Sequence, residues 1–358
     1  MSKPAADIQT SIPLVRDLIR AQHPSFAHLP LTEGPSGWDN DIYRLGDDLA
    51  VRLPRRAPAA ALLENEQRWL PQLQSRLPVR VPAPVAVGKP QAAFPWKWSI
   101  TPWFEGQTLD QSALDQDQVE VLASFLQALH TPPPPDAPFN PWRSVPLAQR
   151  QVLFDGCVAA LAGGEYAVDA VLLKLWEEAV RMPPDVAQTW VHGDLHPRNV
   201  LARQGRLCAV IDWGDMAQAD PAVDLAATWM LLREADRRER LMSLCAGVSL
   251  PTWCRARGWA LLFGLTVLRA ADPEHQEAGV QTLARLREGL EAGSGFARRS
   301  LPALISTWIS RLLGQRISHG MVIADVVVGD VHRLAVRRNV HASDVHQFAI
   351  LVIRLFDR

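Results

Sequence analysis

Hydrophobic and polar positions along this 358-residue chain change period several times, and each change marks an element. From Ser11 to His23, Ile12, Val15, Leu18 and Ile19 recur at the spacing of one helical face, which predicts an opening amphipathic helix. Ile42 to Leu45 and Leu49 to Leu53 read instead as two strands, and Gly46, Asp47 and Asp48 between them predict a hairpin. The helical period returns between Pro58 and Leu73, with the proline at the start and Leu62, Leu70 and Leu73 on one face. Glu66 falls on that same face, where a carboxylate is costly unless it is paired, whereas Glu64 does not.

Pro78 to Pro90 mixes apolar residues with prolines, as a connection and a short edge strand around Pro84 to Gly88 would. Trp98 to Gly106 reads as a strand ending in a bend. From Gln118 onward Leu122, Phe125, Leu126 and Leu129 mark another helix, closed by His130 before a proline-rich linker that runs to Pro141. Helical stretches follow at about Leu147 to Leu161 and Val168 to Val180, expected to pack against the polar loop that comes next. Three short β-prone runs then stand close together: Trp190-Val191, Val200-Leu201 and Leu207 to Ile211. Asp220 as N-cap with Pro221 in the first turn starts a further helix, and helices are expected over Ala226 to Ala235, Trp253 to Ala270, Glu274 to Glu291 and about Leu301 to Leu313. Charged residues from Arg233 to Arg240, and His275, are assigned to solvated faces.

Composition alters this picture little. Hydrophobic residues make up 48% and charged residues 21%, and the formal net charge is -1, so nothing draws the whole chain towards nucleic acid or an anionic membrane. The apolar stretch Trp259 to Leu268 is too short to span a bilayer and has arginines close by. Met1 to Thr10 lacks the apolar core of a signal peptide, and the four cysteines suit neither a zinc ribbon nor a redox motif. A cytoplasmic protein is the expectation.

The chemistry concentrates between the short strands. His192, Gly193, Asp194 and Asn199 form an H-G-D-x-x-x-x-N run, and Ile211, Asp212, Trp213 and Gly214 follow the next strand. Asp194 is suited to accept a hydroxyl proton, while Asn199 and Asp212 offer a neutral and an anionic oxygen to a hard cation. Their joint spacing is the protein-kinase arrangement of catalytic loop and metal-binding D-x-G, with Trp213 where Phe is usual.

Residue for residue, these two segments resemble the aminoglycoside phosphotransferase family, which includes macrolide kinases, over roughly the first three hundred positions. That resemblance implies an α+β, bilobal protein-kinase-like fold, with a small β-rich N-lobe over residues 1–103 that binds nucleotide. It further implies a large, mainly helical C-lobe over 104–315 for catalysis and substrate, leaving 316–358 as a tail of unassigned role. His332, His341 and His346 in the tail come without a ligand pattern that would make a metal site.

The implied activity is transfer of the γ-phosphoryl group of ATP or GTP, with Mg²⁺, to a hydroxyl of a small molecule. Asp194 would be the base and His192 would brace the loop, with Asn199 and Asp212 on the metal. Arg52 stands where the family normally has a phosphate-holding lysine, and Glu66 would be its partner. Gly34, Ser36 and Gly37 would bring backbone N–H groups to the phosphates, although G-P-S-G is not a G-x-G-x-x-G motif and an ordinary loop explains it equally. Thr101, Trp103 and Phe104 would border the adenine where the chain crosses between lobes. Asp224 is assigned to bracing the catalytic loop and His130 to ending its helix. Aminoglycosides, macrolides and housekeeping metabolites stand open as acceptors, with antibiotic resistance the corresponding role for the first two, and a nucleotide-binding protein without transfer activity is the rival. No nucleic-acid or membrane partner is expected, and oligomeric state is left open.

Overall fold

A computed structural model describes residues 4–35, 37–269 and 273–291. The expected helix at 301–313, the tail and Ser36 lie outside the described residues, as does the side chain of His275.

Helix α1 (Ile12–Gln22) begins where the Ser11 hydroxyl accepts the Leu14 N–H, and it buries Val15, Leu18 and Ile19, the face its sequence predicted. Strands β1 (Leu31–Glu33), β2 (Asn40–Leu45) and β3 (Leu49–Pro54) follow, with Gly46 at φ +62° in the β2–β3 turn. After α2 (Ala57–Leu73) come β4 (Ala86–Gly88) and β5 (Trp98–Pro102). These strands make one antiparallel sheet in the order β1-β2-β3-β5-β4, with Tyr43 opposite Val51 and Val51 opposite Ile100. Val15, Leu18 and Ile19 join Leu45, Val51, Leu53, Phe94, Trp98 and Ile100 in one core. Helix α2 packs on β3 and β5, burying Leu63, Glu66, Leu70 and Leu73, while Leu62 is only half-buried. Leu63 therefore takes the core position expected of Leu62, one residue along from the predicted stripe.

The chain then forms β6 (Gln107–Thr108), α3 (Gln118–Leu129), α4 (Gln151–Leu161) and α5 (Ala170–Arg181). Strands β7 (Thr189–Val191), β8 (Val200–Arg203), β9 (Arg206–Val210) and β10 (Ala217–Ala219) carry the polar loops between them. The remainder is helical: α6 (Ala222–Leu225), α7 (Ala227–Leu231), α8 (Ala235–Leu244), α9 (Leu250–Leu268) and α10 (Pro273–Glu291). Helix α9 is buried on nearly every side, with α4, α5, α6, α7 and α10 around it. Helices α4 and α5 pack on α9, and Phe154 of α4 and Trp176 of α5 stack at 4.1 Å. Among the described residues no helix is long and apolar enough to cross a membrane.

Two expectations fail between residues 226 and 240 for one reason. The predicted helix over Ala226 to Ala235 stops at Leu231, because its last carbonyls are taken by buried arginines. Arg285 donates to Trp229 O and Met230 O at 3.0 and 2.9 Å, and Arg238 donates to Leu232 O and Arg233 O at 3.1 and 2.6 Å. Arg238, assigned to a solvated face, is thus a buried capping residue.

The two lobes meet at defined places. Trp69 of α2 lies edge-on to Trp190 of β7 at 5.2 Å, and Val210 N–H donates to Arg80 O at 3.0 Å.

Edge strand β4 yields a stability prediction. Gly88 pairs with Trp98, and a Cβ there would lie 1.8 Å from Cε2 of that fully buried indole. Gly88→Ala must displace the ring, and overpacking of this kind costs roughly 1–3 kcal/mol. A lowered urea midpoint is expected; an unchanged midpoint would mean that the Trp98 ring can shift freely.

Candidate active site

Two loops face each other because the strands pin them at both ends. Val191 pairs with Ala217, and Val200 pairs with Val210, so the segment 192–199 and the segment 211–216 leave from paired residues. The Ile211 N–H donates to Asn199 O at 2.9 Å and joins them again. Asp194, Asn199 and Asp212, far apart in sequence, are brought together by this pairing.

Asp224, with no exposed surface, fixes the first loop. Its carboxylate accepts the His192 N–H at 2.7 Å and the Gly193 N–H at 2.9 Å, and His130 Nε2 lies 3.3 Å away. The assignments of Asp224 as brace and His130 as a helix-closing residue both fit this geometry. Gly193 sits at φ +85°, and a Cβ there would lie 2.4 Å from Asp215 O, so the loop has no room for a side chain. The His192 ring accepts the Asp194 N–H through Nδ1 at 3.2 Å and reaches Ile211 O through Nε2 at 3.0 Å. That pattern requires the neutral Nε2–H tautomer, and burial holds the His192 pKa below its ordinary value. Trp213 packs edge-on to His192 at 4.7 Å and donates to Val210 O at 3.0 Å, closing the second loop from beneath.

Around this frame the polar side chains converge. Asn199 turns its amide nitrogen to Asp194, at 2.9 Å from the backbone oxygen and 3.2 Å from Oδ2, which leaves its carbonyl oxygen as the donor for a cation. Asp212 adopts φ +60° and is exposed to solvent. Although its surface is open, desolvation by the protein packed around its carboxyl raises its pKa, which Arg52 opposes and Asp194 reinforces. Among the described residues no group of three or more His, Cys, Asp or Glu side chains could hold a metal. One carboxylate and one amide oxygen suit a small hard cation that takes its other ligands from phosphates.

Arg52 and Glu66 form a buried two-point ion pair, with one contact at 3.0 Å between Nη2 and Oε1 and a second between Nη1 and Oε2. Glu64 is exposed and pairs with Lys97 at 2.8 Å. Burial acts to lower the Arg52 pKa, but Glu66 and then Asp212 outweigh it, so the guanidinium stays charged and within electrostatic reach of the second loop. The glycine loop corrects the sequence reading in part. The Gly34 N–H donates to Ile42 O and the Gly37 N–H to Asn40 O, each at 2.9 Å, so these amides close the loop instead of pointing to a ligand. Thr101 is buried in β5, and Trp103 and Phe104 follow half-buried, with the Trp103 N–H donated to Asp48 O at 2.7 Å.

Two residues at the centre escaped the sequence reading. His196 places Nε2 at 3.3 Å from Asp194 Oδ2 and 3.2 Å from Asn199 Nδ2. Burial acts to lower its pKa, but Asp194 and then Asp212 raise it above the ordinary value. Its place two positions after Asp194 was the available signal. Arg143 donates from Nε to Gly193 O at 2.5 Å and sets Nη2 at 3.4 Å from Asp194 Oδ1 and 2.8 Å from Asp215 Oδ2. Nothing in sequence pointed to it, since it lies in the linker region some fifty positions upstream. Burial acts to raise the Asp194 pKa, but His196, Arg143 and His192 hold it well below the usual carboxylate range. Asp215 also accepts from Asn140 at 2.9 Å, and Asp220 caps α6 through Ala222 N–H while pairing with Arg255 at 2.6 Å.

Known proteins resemble this chain in sequence and in fold. The phosphotransferase enzyme family matches residues 30–259. An aminoglycoside 3'-phosphotransferase of Escherichia coli is 31% identical over 144 residues, which are 38% of this chain and 53% of that protein. The chain thus spans about half the length of the curated relatives it matches. Among solved structures, the GDP complex of aminoglycoside 2'-phosphotransferase-IIIa superposes with TM-score 0.57 at 19% identity, over 78% of this chain and 99% of the other. Macrolide 2'-phosphotransferase type I does so with TM-score 0.50 at 24% identity, over 77% and 98%.

The grip of Asp224 on the loop is open to test. Asp224→Ala leaves two buried N–H groups without an acceptor, at a cost of roughly 1–3 kcal/mol each. Urea unfolding should show a large loss of stability, smaller in Asp224→Asn, which keeps one acceptor oxygen. Equal stability of Asp224→Ala and the parent would mean that the loop is held by other contacts.

Proposed function

Since the chain belongs to the phosphotransferase enzyme family and has its kinase-like α+β fold, we propose that it moves the γ-phosphoryl group of ATP or GTP to a hydroxyl of a small molecule. The observation that carries this is the meeting of Asp194, Asn199 and Asp212 on facing loops, within electrostatic reach of the Arg52–Glu66 pair.

In this reading Asp194, ionised and one-third exposed, accepts a hydrogen bond from the acceptor hydroxyl and aims its oxygen at the γ-phosphorus. As the new P–O bond forms and the bond to the β-phosphate oxygen breaks, the hydroxyl proton passes to Asp194. Arg52, kept extended by Glu66, holds phosphate oxygens through whichever edges of its guanidinium the carboxylate does not occupy. Asp212 and Asn199 would hold Mg²⁺, which when bound supplies charge neutralisation to the phosphates. His192 takes no part in proton transfer: both ring nitrogens serve the backbone of the two loops. Gly34 and Gly37 shape the loop over the nucleotide, and Thr101, Trp103 and Phe104 border its base. The names of the relatives make aminoglycosides and macrolides acceptors to assay, beside hydroxylated metabolites.

Substrate-dependent release of ADP or GDP across a panel of hydroxylated compounds tests the activity. Asp194→Asn should bind nucleotide as the parent does and turn over about a hundredfold more slowly or worse. Undiminished turnover removes Asp194 from the chemistry.

A double-mutant cycle tests the phosphate-holding pair. Arg52→Ala should raise the nucleotide KM and lower kcat together, and Glu66→Gln should act in the same direction more weakly. Because the two side chains touch, the combined loss should fall short of the sum. Strictly additive losses would mean that Glu66 does not orient Arg52.

A further inference from the structure

The peptide unit between Gly193 and Asp194 sets the direction in which the base leaves its loop, and it is held at both polar edges. Its N–H, on Asp194, donates to His192 Nδ1 at 3.2 Å, and its carbonyl, on Gly193, accepts from Arg143 Nε at 2.5 Å. The unit before it is pinned as well, since the Gly193 N–H donates to Asp224 at 2.9 Å.

The guanidinium that holds this carbonyl also reaches the carboxylate beyond it. Arg143 Nη2 lies 3.4 Å from Asp194 Oδ1 and 2.8 Å from Asp215 Oδ2. The two oxygens of the base are therefore occupied unequally. Oδ2 has His196 at 3.3 Å and Asn199 at 3.2 Å, whereas among the described residues Oδ1 has only the longer contact to Arg143. Oδ1 is the oxygen with room for a further hydrogen bond.

Arg143 is itself held on several sides. A turn built on the buried Asn140 carries it, in which Asn140 O accepts the Arg143 and Ser144 N–H groups at 3.1 and 2.8 Å, and the Ser144 hydroxyl accepts the Asn140 N–H at 2.9 Å. Asn140 Nδ2 donates to Asp215 Oδ1 at 2.9 Å, so both oxygens of Asp215 are engaged and its carboxylate fixes the outer end of the fork. The guanidinium carbon lies 4.9 Å from the centre of the Phe263 ring on α9.

Resting on the phosphotransferase reading, we propose that Arg143 is the positioning residue of the base. It fixes the Gly193–Asp194 peptide and Asp194 Oδ1 together, so that this oxygen takes the hydrogen bond of the acceptor hydroxyl while Oδ2 stays with His196 and the amide of Asn199. The contacts of Arg143 are with Gly193, Asp194, Asp215 and Phe263, and Arg52, Asn199 and Asp212 are not among them. Its effect runs through Asp194 and falls on turnover, not on nucleotide affinity. A lysine could meet one of the three oxygen partners well, but its point charge lacks the fork that meets the carbonyl and both carboxylates at once.

Hydrolysis of MgATP by the full-length protein, with water as the acceptor, tests this. Arg143→Met should lower kcat about tenfold to a hundredfold, the scale on which small misplacements of a reacting group act, while the KM for MgATP changes less than about twofold. Arg143→Lys should recover part of the loss. The deciding measurement is a cycle with Asp194→Asn, in which Arg143→Met should cost less than about twofold once the base is gone. Should Arg143→Met fail to fold in a urea titration, Arg143→Lys carries the same cycle. Losses of equal size in both backgrounds mark a merely structural role and overturn the proposal, as do an undiminished kcat or a KM that rises as far as kcat falls. Failure of the phosphotransferase reading looks different: hydrolysis would be absent, or equal in the parent and in Asp194→Asn, and the base that Arg143 is said to position would be lost with it.

Discussion

One buried carboxylate, Asp224, holds the catalytic loop to the body of the C-lobe. A carboxyl group with no exposed surface is tolerated only when its oxygens are fully engaged, and here two backbone N–H groups and His130 engage them. The N–H groups belong to His192 and Gly193, the two residues before Asp194. What Asp224 fixes is therefore the path of the chain into Asp194. His192 then extends the order to the second loop, since one ring nitrogen takes the Asp194 N–H and the other reaches Ile211 O. A charged imidazole could not accept that N–H, so the hydrophobic setting that keeps His192 neutral is part of the same device.

Much of the fold was legible because its elements bury one face each. The stripe Val15, Leu18, Ile19 and the run Leu122, Phe125, Leu126, Leu129 lie where helical periodicity put them. Glu66 was readable for a related reason, since a carboxylate on an apolar face implies a partner. The failures share a different cause. Periodicity assigns a side chain to a face but does not say what covers that face, so Arg238 passed for a solvated residue although it caps Leu232 and Arg233. The packing of α4 and α5 on α9 is likewise a property of tertiary assembly, invisible to local pattern.

The site divides along the same line. Asp194, Asn199 and Asp212 were visible because their spacing is set by a loop and a hairpin that lie within a few residues of them. The Gly34 and Gly37 amides were left open between phosphate contact and an ordinary loop because composition tells that a backbone is free to approach, not where its N–H groups point. Arg143 was out of reach altogether. It arrives from a proline-rich connection, and only the docking of that segment beside β10, through Gln218 N–H to Pro138 O at 3.0 Å, carries it to Gly193 and Asp194.

The arginine at position 52 follows from the charge around it. A lysine ammonium is a compact point charge, whereas a guanidinium presents a planar fork. At this site two nitrogens of the fork face Glu66, so the group's direction is set by the carboxylate while its charge stays within electrostatic reach of Asp212. Glu66 thereby gains a role that a point charge would leave weaker: it defines the direction in which the guanidinium lies. The substitution also makes the cation insensitive to desolvation, because a guanidinium does not lose its proton in the range where a buried ammonium would. Position 52 is buried in a central strand and faces a carboxylate that is more deeply buried still. There, permanence of charge and fixed direction are what allow the pair to stand buried in the N-lobe and still act electrostatically on Asp212.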